Sequence, residues 1–337
     1  MIFKIKTPQY LIISRPDSIG DAVLALPVAK ALKDIFPGIC IGYLGKGYTR
    51  DLIDACENID EFIDINQFMS QPVTVCGQQP DTILHLLPHP PAAKRAKQLS
   101  IPIRIGTTNR LYHWPTCNRF VKLSRKNSDL HEAQLNLKLL SALGIKKIFS
   151  LSEITNMYGL TRTESLAPSF ASLIDGDKYN IILHPKSQGN AVEWGIQNFI
   201  SLIKLLNPDE YRIFISGVEK DKPYIEPLLN EVGDRVIDVT GKMSLAQFIS
   251  FIGQCNGLVA CSTGPIHLAA ASGIDTYGLY SVHRPIFARR WGPIGKHVFV
   301  LESQRKKYAT DMNDISPEQL QQIIEVNRTQ YIRSISN

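Results

Sequence analysis

The chain has 337 residues, 44% of them hydrophobic and 20% charged, with a formal net charge of +6. That length accommodates two domains of ordinary size. The composition excludes a disordered or low-complexity protein, and no apolar run is long enough to cross a bilayer. The positive surplus is modest and dispersed. It suits phosphorylated ligands or peripheral contact with an anionic membrane, and it lacks the basic block of a nucleic-acid arm.

The six cysteines (Cys40, Cys56, Cys76, Cys117, Cys255 and Cys261) form no C-x-x-C pair and show no metal-ligand spacing with the histidines. Reduced, mostly buried thiols in a cytosolic protein are expected. The opening residues are too short and too interrupted for a signal peptide.

In chain order, Tyr10–Ile13 is a short apolar run that reads as a central parallel strand. The loop Ser14–Asp21 follows, and residues 22–36 show helical spacing of apolar side chains. Pro27 inside that stretch predicts either a kink or a second helix start. Residues 39–44 and 61–65 read as strands, which makes a βαβ unit and a parallel sheet. Residues 82–87 form a further strand, Lys94–Lys97 a solvated helix face, and Arg104–Gly106 another strand. The loop from Thr107 to Cys117 carries Arg110, Tyr112, His113 and Trp114, a mixture able to hold a polar ligand by charge and stacking. His131–Leu143 is amphipathic and stops at Gly144.

Residues 150–178 are polar and aperiodic, and a domain boundary is placed there, giving domains over 1–165 and 166–337. The alternation then restarts. Strands are predicted at 180–183, 211–215, 236–239, 257–260, 276–280 and 298–301, and helices at 194–206, 221–232 and 244–255. A final helix is capped by Ser316, Pro317 and Gln319. Two consecutive doubly wound α/β halves result, and such folds bind ligands at the carboxyl ends of their strands. The stretch Cys261–Gly273 is the most informative. A strand runs into Ser262 or Thr263 as N-cap, with Gly264 at the turn and Pro265 in the first helical turn. This is either an ordinary strand–helix junction or an anion site in which free N–H groups and the helix dipole meet negative charge.

Several stretches together resemble glycosyltransferase family 9, the heptosyltransferases. They are Ile12–Asp21 with Leu26-Pro27, Arg104-Ile-Gly106, His131-Glu132 through Leu143-Gly144, Lys242–Leu245, Cys261–Gly273 and Arg290–Gly295. They keep the family's order from about residue 12 to about residue 295. The resemblance implies a GT-B fold, two Rossmann-like domains facing each other across a cleft. The acceptor would sit on the N-terminal domain and a nucleotide-sugar donor on the C-terminal one, and the C-terminal helix could pack back toward the N-domain. It further implies inverting transfer without a metal or other cofactor by a bacterial monomer. The donor would be ADP-heptose or a related nucleotide sugar, the acceptor a lipopolysaccharide or other surface glycan, at the cytoplasmic face of the inner membrane. Nucleic acid is not an expected partner.

The resemblance assigns Asp21 as the base that takes the acceptor hydroxyl proton; a helix-capping carboxylate is the alternative. Ser18, Gly20, Arg110 and His113 are acceptor-side candidates. Lys186, Ser187, Thr263, Gly264, Pro265 and His267 are placed around the diphosphate, Asp221 at the ribose and Met243 at the nucleobase. His267 serves equally as a packing residue. Two positions depart from the family pattern. Ser262 stands where the family usually has Asp, and Val192-Glu193-Trp194-Gly195 where it usually has Lys-x-Trp-Pro. Lys186, Arg284 or Arg289 could replace the missing lysine. A non-catalytic relative that binds without transferring is the competing reading, and so is a changed donor. A GT-B-fold sugar-nucleotide epimerase finds no support in these motifs.

Overall fold

The computed structural model describes residues 7–187, 189, 191–282, 287–305 and 311–335. The chain divides into two compact units, Met1–Thr163 and Glu164–Asn337.

The first unit is built on six parallel strands: β1 (Tyr10–Ser14), β2 (Cys40–Gly45), β3 (Glu61–Asp64), β4 (Thr82–His85), β5 (Ile103–Thr107) and β6 (Arg119–Val121). Their order across the sheet is β3-β2-β1-β4-β5-β6. The apolar runs of β1 and β2 are buried on both faces, as a sheet covered by helices requires. β6 is absent from the sequence reading, because three residues are too few to show a period. Pro27 makes a second start. One short helix, Ile19–Val23, ends before it, and another, Leu26–Ile35, begins with the proline in its first turn, where no N–H is needed. The expected helix at 131–143 is α-helical over Glu132–Lys138 and tightens to a 3₁₀ turn over Leu139–Leu143 before Gly144 closes it at φ 90°.

The second unit repeats the plan with β7 (Tyr179–His184), β8 (Tyr211–Ile215), β9 (Ile237–Asp238), β10 (Gly257–Cys261), β11 (Asp275–Tyr280) and β12 (Val298–Glu302). The order is β12-β11-β10-β7-β8-β9, again parallel throughout. Its core gathers Ile181, Leu183, Trp194, Phe199, Ile213, Val259 and Leu279. The terminal helix Pro317–Ile335 adds Leu320 and Ile324 to that core, and its Glu325 accepts the Tyr211 hydroxyl at 2.6 Å.

In both sheets the strand order reverses at one place: between β1 and β4, and between β7 and β10. The loops leaving adjacent strands diverge to opposite faces there and open a crevice at the carboxyl edge. The sequence places its charged loops at these two points.

The expectation of reduced thiols fails at two positions. Cys40 and Cys76 are joined in a disulfide with Cα atoms 6.5 Å apart, across 36 residues of sequence. Cys76 sits in a tight turn with positive φ at both Cys76 and Gly77, and Val73 and Val75 carry that turn into the core beside Cys40. Spacing alone could not show this, because tertiary packing makes the pair. Cys56, Cys117, Cys255 and Cys261 are free and buried. Asp60 is the third member of a possible ligand group with Cys40 and Cys76. Its carboxylate is already held by Lys33 at 2.6 Å and the Ile41 N–H at 2.7 Å.

Candidate functional site

The first cluster lies where β1 ends. Ser18 caps the short helix Ile19–Val23, and Asp21 falls in its first turn. Ser18 Oγ donates to Asp21 Oδ2 at 2.6 Å, and the Arg15 guanidinium holds the other carboxylate oxygen. Arg15 is buried, its side chain 2% exposed, while that of Asp21 keeps 16%. The second guanidinium nitrogen of Arg15 donates to Glu132 Oε1 at 3.0 Å and to Asn136 Oδ1 at 2.9 Å. Arg125 closes the network from outside, reaching Glu132 at 2.8 Å, Asn136 at 3.0 Å and the Leu86 carbonyl at 2.8 Å. Asn136 in turn donates to the Leu24 carbonyl at 3.0 Å. Two guanidinium groups thus face the carboxylates of Asp21 and Glu132, with Asp17 3.9 Å from Arg15, and the hydrogen-bonded links are charge-assisted or amide ones, the arrangement that makes a buried ionic network tolerable. Burial lowers the affinity of Arg15 for its proton, but Asp21, Glu132 and Asp17 outweigh it and the net shift is upward. Burial and the Asp21 charge raise the Asp17 carboxyl above its usual range.

The acceptor-side candidates separate. Ser18 and Asp21 touch, and Gly20 is buried beneath them in the same helix. Arg110 is exposed. His113 is buried. Its ring fills the space left by the missing side chain of Gly106, where a Cβ would stand 2.7 Å from the imidazole, and its Nδ1 accepts the Thr107 N–H at 2.9 Å. It therefore shapes the 107–117 loop from within. His85, at the end of β4, stacks on His113 at 6.0 Å, and burial lowers the pKa of both rings, that of His85 to about 3.

The second cluster lies at the β7–β10 reversal. Lys186 and Ser187 leave the end of β7. Lys186 Nζ is 2.7 Å from Glu193 Oε2 and 4.4 Å from the centre of the Tyr224 ring. Glu193 Oε1 accepts the Ser187 N–H at 2.8 Å and its hydroxyl at 3.1 Å. His184, the last residue of β7, is buried against Ser216 Oγ at 3.0 Å, and burial lowers its pKa to about 4. Asp221 is buried and accepts the Val218 N–H at 3.0 Å, which fixes the turn after β8. Met243 is half-buried just before the helix Leu245–Gln254.

After β10 the chain enters the helix Gly264–Ser272 with Thr263 as N-cap and Pro265 in the first turn. The Thr263 hydroxyl turns back to the Cys261 carbonyl at 3.3 Å and makes no capping hydrogen bond to the helix. The first-turn N–H groups, with Ser262, Gly264 and Pro265 half-buried around them, therefore keep the geometry of an anion seat. Ser262 hydrogen-bonds the Tyr280 phenol, which itself donates to the Trp291 carbonyl at 2.9 Å. His267 is buried within the helix. Arg289 is exposed, and Arg284 lies outside the described residues.

Arg15, Glu132, Asn136 and Arg125 are absent from the sequence-derived roles. The sequence-level signs were the family-like stretches Ile12–Asp21, which holds Arg15, and His131–Gly144, which holds Glu132 and Asn136; they carried no chemistry until the fold brought them together.

Two doubly wound parallel sheets, each with charged loops at its reversal point, give the protein the GT-B fold. More particularly, the chain belongs to glycosyltransferase family 9 (heptosyltransferase), whose model matches residues 76–318. Among curated relatives it is 20% identical to the lipopolysaccharide core heptosyltransferase OpsX of Haemophilus influenzae, over 90% of this chain and 87% of that one. The fold is shared with a family 9 glycosyltransferase from Veillonella parvula (TM-score 0.79, 19% identity, 96% of this chain and 97% of that chain). It is shared too with the E. coli ADP-heptose lipopolysaccharide heptosyltransferase II (TM-score 0.75, 18% identity, 96% and 99%). The family model begins after Asp21, so Arg15, Ser18 and Asp21 rest on their own geometry, whereas Arg125, Glu132 and Asn136 fall within the matched range.

Proposed function

We propose that this glycosyltransferase moves heptose or a related sugar from a nucleoside-diphosphate donor, ADP-heptose first among them, to a lipopolysaccharide or other surface-glycan acceptor. Transfer inverts the anomeric centre in one displacement and uses no metal. The observation that carries this reading is the Asp21 carboxylate, held by Arg15 and Ser18 at the carboxyl edge of β1 and partly exposed there. A single displacement needs a fixed base to take the acceptor hydroxyl proton, and an anchored carboxylate at a strand-end crevice suits that task. The departing diphosphate gathers negative charge, which the N–H groups of the Gly264–Ser272 helix and the Lys186–Ser187 loop are suited to meet. Exposed Leu111 and Trp114 beside Arg110 suit a peripheral contact with the membrane that holds the acceptor.

One observation favours the competing reading of a relative that binds without transferring: Ser262 and Lys186 are both engaged by neighbours of their own chain. Nucleotide-sugar turnover by the wild type and by Asp21→Asn separates the two. Transfer by the wild type, lost by at least a thousandfold in a variant that still binds donor, supports the base. Full turnover by the variant removes Asp21 from the chemistry, and no turnover by the wild type with any of ADP-, GDP-, UDP- or dTDP-sugars favours the binding role.

A further inference from the structure

The chemistry around Glu193 differs from that of an ordinary surface carboxylate. Its two oxygens face three donor groups on two consecutive residues: the Lys186 ammonium at 2.7 Å, the Ser187 N–H at 2.8 Å and the Ser187 hydroxyl at 3.1 Å, whose single proton it shares with the Ala191 carbonyl at 3.2 Å. An ammonium, a backbone N–H and a hydroxyl converging at a strand end are what a phosphate oxygen pair would require. The position is the β7–β10 reversal point of the second sheet. The seat is thus already filled by an anion of the chain itself.

The backbone beside that anion is anchored in the core, whereas its side chain is held at the partly exposed edge by the contacts above. Trp194 is fully buried, its indole N–H donates to the Ile315 carbonyl at 2.8 Å, and its backbone N–H is bonded to the Cys261 sulfur at the end of β10. The Glu193 side chain keeps 30% of its surface in solvent, so it can swing outward without disturbing the core. Lys186 would stay in place, because its ammonium also lies 4.4 Å above the Tyr224 ring. The ammonium keeps this contact, and the Ser187 hydroxyl its Ala191 carbonyl, once the carboxylate leaves.

We propose that Glu193 is an internal occupant of the phosphate seat, displaced when the donor binds, and that this residue sets donor affinity. The inference rests on the reading of the second unit as the nucleoside-diphosphate site. Every donor that binds must first displace a charge that the chain supplies to the same three groups, and near Lys186 it then faces that carboxylate as a like charge. A diphosphate, with more negative charge than Glu193, can win that exchange. A singly charged anion has no such advantage.

The test is calorimetric titration of ADP, and of GDP, UDP and dTDP, into the full-length wild type, Glu193→Gln and Glu193→Ala. Ligand-free thermal unfolding shows that each variant is folded. The expected result is tighter binding by both variants, about tenfold or more for the preferred nucleotide, with the gain lost when Lys186→Met is added. Equal or weaker binding by both folded variants overturns the proposal while leaving the donor site standing. Failure of the wild type and both variants to bind any of the four nucleotides removes the donor reading, and this inference falls with it.

Discussion

Arg15 and Asp21 are joined guanidinium to carboxylate across six residues, the first almost fully buried and the second partly exposed. The same guanidinium holds Glu132 and Asn136 from the far end of the unit. Asp21 is therefore aimed by a residue that does not itself reach the solvent. Arg15→Met should leave Asp21 and Glu132 without their shared cation and cost about 3–5 kcal/mol of stability. In whatever fraction folds, kcat should drop while KM for the donor stays near the wild-type value. Arg15→Lys should restore stability in part and kcat less, since one ammonium cannot reproduce the forked contacts. Chemical denaturation with steady-state kinetics measures both, and an unchanged kcat in the Lys variant would refute the positioning role.

Acid should destabilise the protein from below neutrality. The buried rings of His85 and His184 have pKa values lowered to about 3 and about 4, chiefly by burial, and His89 and His113 are lowered as well. His85 and His184 stay neutral in the fold over this range, whereas in the unfolded chain they take up protons near pH 6.5. Below that pH the unfolded state binds more protons, so stability is fully present above about 6.5 and falls as the pH drops toward 4. Two such histidines imply a loss approaching about 3 kcal/mol per pH unit across that window. Asp17 and Asp275, whose carboxyls are raised, act in the opposite sense at its acidic end. Urea melts between pH 7.5 and 5 follow the slope, which His184→Gln should make shallower; a flat profile would contradict the buried neutral rings.

Reduction should loosen the first unit alone. The Cys40–Cys76 bond closes a loop of 36 residues in sequence separation, and restricting such a loop in the unfolded chain is worth up to about 4 kcal/mol. Dithiothreitol, or the pair Cys40→Ala and Cys76→Ala, should lower the melting temperature of the wild type by several degrees. Mass spectrometry after alkylation of the native protein should find these two thiols blocked. Both thiols alkylated without reductant would show the pair to be unbonded.

Local patterns were legible wherever burial imposes a period. The apolar runs at 10–13, 180–183 and 257–260 lie inside β1, β7 and β10 because central parallel strands must be apolar on both faces. The helix start was legible only to Ser262 or Thr263, and the structure makes it Thr263; the stop at Gly273 was legible because a left-handed helix end demands glycine. β6 was missed for want of length, and the helix at 131–143 was read as uniform although its last turn is 3₁₀. At the candidate site, Asp21 and the Lys186–Ser187 loop could be named from the chain, but their neighbours could not.

The sequence by itself determined the repeated strand–helix alternation, the family likeness and the residues at the two strand-end loops, because each depends on a handful of consecutive positions. Only the tertiary structure decided what those residues do to one another. Arg15 meets Glu132 across 117 residues, and Cys40 meets Cys76 across 36. Glu193 turns back onto Lys186 and Ser187 rather than into solvent. His113 packs against Gly106, with its Nδ1 on the Thr107 N–H. Hydrophobic periodicity records which face is buried. Charge pairing and side-chain direction depend on which segments packing brings together, and no local pattern carries that information.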